Sequence, residues 1–86
     1  MILSIDVPEY DNGLRLKWED NFSIECSADE NAVRIKANRE GLISLARHLL
    51  ELAQDDVPIY THIHLDEFNS LDDNSTELII TKKASD

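Results

Sequence analysis

Cysteine, glycine and proline are scarce in this chain: one Cys, two Gly and two Pro among 86 residues. A lone cysteine, Cys26, excludes an intramolecular disulfide and suits a reducing compartment. So little Gly and Pro excludes long flexible linkers, low-complexity tracts and collagen-like repeats. Gly13 and Gly41 stand alone, which leaves no phosphate-cradling loop and no dinucleotide fingerprint. No cofactor is implied. Long apolar runs are also missing: none approaches the roughly 20 residues that span a bilayer. The start, Met1-Ile2-Leu3-Ser4-Ile5, lacks the basic stretch that opens a signal peptide. The expected location is the cytoplasm, away from membranes. Positive charge is scarce too, with 8 basic residues against 18 acidic and a formal net charge of −10. That balance repels nucleic acid and anionic membranes and favours solubility or a basic protein partner.

What is present reads as one α+β domain over residues 1–86. The first third has period two. Leu3, Ile5 and Val7 alternate with polar residues, as do Leu14, Leu16 and Trp18, then Phe22, Ile24 and Cys26, then Val33, Ile35 and Ala37. Turn signals at Asn12-Gly13, Glu19-Asp20-Asn21 and Asp29-Glu30-Asn31 separate these runs, which predicts a four-stranded antiparallel meander. The period then becomes 3.6. Asn38 is a good N-cap, and Leu42, Leu45, Ala46, Leu49 and Ala53 share one face, widened by Ile43, Leu50 and Leu52. Ser44, Arg47, His48, Glu51 and Gln54 form the opposite, polar face of this helix, which ends near Asp55-Asp56. Strand character returns at Ile59 to Leu65 and at Thr76 to Thr81, and the tail from Lys82 to Asp86 is expected to fray. The predicted fold is a two-layer sandwich, β-β-β-β-α-β-β, with a mostly antiparallel sheet of about six strands packed on one amphipathic helix.

Four features bear on chemistry. His62, His64 and Asp66 alternate onto one side of a strand, and imidazole with carboxylate is a ligand set for zinc or a similar ion. Two histidines alone do not close such a site, so a solvated strand face is the competing reading. Cys26 is in phase with Phe22 and Ile24, on the buried side, where a thiol behaves as a small hydrophobe; no positioned base is apparent to make it a nucleophile. Asp66-Glu67 and Asp72-Asp73 cluster in a polar, turn-rich segment that also carries Phe68 and Leu71. General acid–base work by such carboxylates needs a pocket that separates their pKa values. A docking edge for a basic partner, made of Asp66, Glu67, Phe68, Asp72 and Asp73, needs none. Trp18 fits the inward set of Leu14 and Leu16, although Trp also anchors interfaces.

The segment reading Asn38-Arg39-Glu40-Gly41-Leu42, Leu45-Ala46-Arg47-His48-Leu49 and Leu52-Ala53-Gln54, followed by His62-Ile63-His64-Leu65-Asp66 and Ser75-Thr76-Glu77-Leu78-Ile79-Ile80, resembles the immunity protein family numbered thirty-two of bacterial polymorphic toxin systems. The likeness spans about half the chain, and the first four strands match only in general pattern. It implies a small non-enzymatic cytoplasmic protein that binds and neutralises a cognate toxin. Two other classes remain open at this stage: a metal-binding module or small metal-dependent enzyme using His62, His64 and Asp66, and a homodimeric structural or regulatory subunit. His48, His62 and His64 are expected to form a structural polar cluster where the helix meets the next strand, not a catalytic group.

Overall fold

A computed structural model describes residues 1–85. Their element order is β1 (Ile24–Ala28), β2 (Val33–Ala37), α1 (Arg39–Leu52), β3 (His62–Leu65) and β4 (Leu78–Thr81). β1 pairs antiparallel with β2, with Ile24 opposite Ala37 and Cys26 opposite Ile35. β3 pairs antiparallel with β4, with Ile63 opposite Ile80 and Leu65 opposite Leu78. The α+β class therefore holds, but the single sheet of about six strands does not: among the described residues there are four strands in two separate two-stranded sheets.

The β1–β2 turn follows from Asp29. Its carboxylate accepts from the backbone N–H of Asn31 and of Ala32, both at 2.9 Å, the Asx-turn chemistry that favours Asp at a hairpin end. Asn38 then ends β2 and starts α1. Its Oδ1 accepts from Gly41 N–H at 2.8 Å and also from Ser23 N–H at 2.9 Å, so one side chain caps the helix and ties it to the residue just before β1. Gly41 allows the close approach that results. A Cβ there would lie 2.4 Å from the Ser23 carbonyl oxygen and 2.9 Å from a side-chain carbon of Ile24. Ile24, Cys26, Leu52, Val57, Ile63, Leu65 and Leu71 make the buried core.

Residues 72–76 join the two sheets without forming a strand. Asp72 N–H donates to Ile24 O at 2.8 Å, Thr76 N–H donates to Cys26 O at 2.7 Å, and Cys26 N–H donates to Ser75 Oγ at 3.2 Å. The outer edge of β1 is thereby occupied. Lys82, placed by sequence in a frayed tail, is held instead: its Nζ donates to Gln54 O at 2.6 Å and Val57 O at 2.8 Å beyond the helix C-terminus.

The two predicted strands before β1 are absent. The side-chain alternation is real, since Leu14, Leu16, Trp18 and Phe22 pack partly buried on the core. The backbone bonds, however, go to side chains of α1 and to Gln54 just past its end. Glu19 N–H donates to Ser44 Oγ at 2.8 Å, Arg15 N–H donates to Glu51 Oε2, and Tyr10 N–H donates to Gln54 Oε1 at 3.4 Å. Gln54 Nε2 donates to Pro8 O at 2.8 Å, and Arg47 donates to Asp6 O at 3.0 Å and Lys17 O at 3.3 Å. Arg47 also pairs with Glu19 at 2.9 Å. Residues 44, 47 and 51 of α1 and Gln54 just past it recur at helical spacing, so one stripe clamps residues 6–22 as an extended strap.

The burial of α1 is correspondingly rotated from the predicted one. Gly41, Ser44, His48, Glu51 and Leu52 are buried, whereas Leu42, Leu49 and Leu50 are exposed. The strap bonds Ser44, Arg47, one carboxylate oxygen of Glu51 and Gln54, which offsets part of the desolvation penalty, and its own Trp18 and Phe22 bring apolar surface; Glu51 Oε1 and the His48 ring nitrogens stay without a partner among the described residues.

Candidate functional site

β3 ends at Leu65 and Asp66 opens the loop that runs to β4. Asp66 builds that loop. Its Oδ1 accepts from Phe68 N–H at 2.9 Å and Asn69 N–H at 3.1 Å, while its backbone oxygen accepts from Asn69, Ser70 and Leu71 at 3.3, 3.1 and 2.8 Å. Asn69 closes the turn from the other side, accepting from Asp66 N–H at 3.0 Å and donating to His64 O at 2.9 Å. Glu67 accepts from Asn74 N–H at 2.9 Å, and Asp72 accepts from Ser23 Oγ at 2.7 Å. Leu71 is buried and pins the segment to the core. Phe68 is left standing on this scaffold with 90% of its surface exposed.

Of the five residues assigned to a docking edge, Asp66, Glu67 and Asp72 thus hold the loop's shape. Phe68 and Asp73 are the two whose side chains make no hydrogen bond or ion pair among the described residues. An exposed phenyl ring rimmed by carboxylates, on a loop that is already ordered, can bury apolar area in a partner without a large ordering cost.

The three predicted ligand residues are not brought together as a set. Among the described residues, the convergent donors are His64, Asp66 and Glu77, each offering an atom within 4.8 Å of the others. His64 Nε2 lies 3.2 Å from Glu77 and 3.6 Å from Asp66. Glu77, just before β4, was missed because its register beside His64 is set by the β3–β4 pairing. His62 points to the exposed side with its Nδ1 3.5 Å from Tyr60 O. An imidazole between two carboxylates is accounted for as an ion pair when protonated.

His48 stands apart from His62 and His64. It is fully buried, it meets the Trp18 ring edge-on at a centroid distance of 4.3 Å, and neither of its ring nitrogens has a hydrogen-bond partner among the described residues. Burial lowers its pKa from 6.5 to about 4, with the neighbouring Arg47 charge adding to the effect. The His48, His62 and His64 cluster is therefore corrected: one imidazole lines the seam between strap and helix, and the other two are exposed on β3.

Cys26 is buried and free. No pocket is found among the described residues. No helix among them is long and apolar enough to cross a membrane. No curated protein and no solved structure matches the chain. A family model does, over residues 32–83, which runs from the turn before β2 to just past β4. Because that match covers more than half of the sequence and all but one of the regular elements, this chain belongs to the Immunity protein 32 family.

Proposed function

We propose that the chain is a non-enzymatic immunity protein that binds a cognate bacterial toxin in the cytoplasm and neutralises it by covering the toxin's working surface. Family membership supports an immunity role and a protein partner. The observation that carries the choice of surface is Phe68, 90% exposed on a loop ordered by its own carboxylates. The net charge of −10 favours encounter with a basic surface such as a nuclease cleft. Asp66, Glu67, Phe68, Asp72 and Asp73 form the docking edge. Phe68 is its anchor, Asp73 its free charge, and the other three its frame.

The test uses the toxin domain encoded beside this chain, catalytically inactivated. Phe68→Ala should weaken the complex by roughly 30-fold or more, the scale of an aromatic hot spot, mainly through faster dissociation. Asp73→Asn should slow association a few-fold at low salt and much less at high salt. A double variant that associates and dissociates like the parent would remove this loop from the interface.

A further inference from the structure

The two edges of the β1–β2 hairpin are finished differently. Asn38 N–H donates to Ser23 O at 3.1 Å and Asp29 N–H donates to Ala32 O at 3.0 Å. Both pairs are in phase with Glu25–Lys36 and Ser27–Arg34 in the ladder, so those are the pairs that exchange hydrogen bonds. The N–H and C=O of Ile24 and Cys26 must then point outward from β1, and there Asp72 N–H donates to Ile24 O, Thr76 N–H donates to Cys26 O and Ser75 Oγ accepts from Cys26 N–H. On β2 the outward groups belong to Val33 and Ile35. Among the described residues nothing pairs with them. Their side chains are exposed as well, by 65% and 38%. An unpaired strand edge with apolar side chains is a template for one more strand.

Charge says which strand fits. Arg34 and Lys36 project from the other face of β2, exposed, and form no ion pair among the described residues. Glu25 stands opposite Lys36 in register, yet no ion pair joins them. A second copy of the chain docking β2 to β2 in antiparallel fashion would set Arg34 or Lys36 against Arg34 or Lys36 of the other copy in every register that keeps Val33 and Ile35 on one face and pairs three or more residues of β2. Like charges directly opposite oppose such pairing, whereas an acidic residue at those positions completes it. We infer that the open edge of β2 accepts an extended strand of the protein partner, one whose residues alternate between apolar and acidic. This rests on the immunity reading and adds where the partner's backbone is held.

Amide hydrogen exchange on the full chain tests it, alone and bound to the same inactivated toxin domain. The Arg34 and Lys36 amides, bonded to β1, should be protected in both states. Val33 and Ile35 should exchange freely in the isolated chain and slow by roughly 100-fold or more in the complex. Ile35→Pro removes the outward donor and the isoleucine side chain but none of the ladder bonds to β1, a replacement that edge strands tolerate, and should weaken binding at least roughly 30-fold with the circular dichroism unchanged. Should that variant fail to fold, Arg34→Glu with Lys36→Glu leaves the ladder intact and should weaken binding roughly 10-fold. A complex in which Val33 and Ile35 still exchange freely overturns the inference and leaves toxin binding standing. Absence of any complex removes the toxin reading and this one with it. Protection that instead grows with concentration in the isolated chain gives the edge to a second copy and overturns the charge argument.

Discussion

The two flanks of α1 carry opposite residues and meet opposite fates. One flank holds Ser44, Arg47, Glu51 and Gln54 and is covered by the N-terminal strap. The other holds Leu42, Leu49 and Leu50 and faces outward. Polarity alone did not decide burial. The strap's backbone needed acceptors and donors, the polar flank supplied them at helical spacing, and the apolar flank could not. Buried polar groups that are satisfied specify one arrangement, whereas an apolar stripe would accept many.

The comparison breaks most visibly at Glu51. Glu51→Ala removes the acceptor for Arg15 N–H and leaves a void in a fully buried place, so stability should fall by about 2–3 kcal/mol. Glu51→Gln keeps an acceptor and should lose less than about 1 kcal/mol. Chemical denaturation measures both, and exchange of the Arg15 amide should accelerate only in the alanine variant. Equal losses in the two would mean that the carboxylate itself, which glutamine lacks, matters, and not its shape or the acceptor it offers to the strap.

His48 sharpens the same comparison through pH. Its folded pKa of about 4 lies below the 6.5 of the unfolded chain, so between those values the unfolded state binds more protons. Its contribution is therefore fully present above about pH 6.5, shrinks as pH falls, and is gone below about 4. By pH 5 the wild type should have lost about 2 kcal/mol from this group alone. His48→Leu should flatten that slope, while at pH 7.5 it should be close to neutral because the ring nitrogens have no partners to lose. A variant with the same acid slope as the parent would assign the loss to the carboxylates.

Much of this arrangement was legible from residue order, and the failures share one cause. The hairpin Phe22–Ala37, the Asn38 cap, the inward Ile63 and Leu65, and the last strand follow from alternation, turn chemistry and a capping side chain, all of which act within a few residues. The acidic loop was visible as composition, but the division between Asp66, which builds it, and Phe68, which stands on it, needed coordinates. The strap and the helix flank were misread because period two reports which side chains face inward and says nothing about who receives the backbone bonds. Those partners lie 25 to 44 residues away in Ser44, Glu51 and Gln54. Helical amphipathicity assumes the apolar face is buried, and here a tertiary contact of the opposite kind prevailed. Glu77 beside His64 is another long-range register that no local pattern encodes.

The smallest expected effect is the sharpest statement of the difference. Leu42 lies in the first turn of α1 with 55% of its surface exposed. Leu42→Glu deletes little buried apolar area and places a negative charge near the helix N-terminus, where the backbone dipole favours it. Against that stands slight extra repulsion in an already acidic chain. Stability should change by less than about 0.5 kcal/mol, read by the same denaturation experiment as Glu51→Ala. An amphipathic helix of ordinary orientation would show the reverse order, with a severe loss on charging a leucine and almost none on trimming a glutamate. If Leu42→Glu costs more than Glu51→Ala, the outward flank is covered in solution, and the strap does not set which side of α1 faces in.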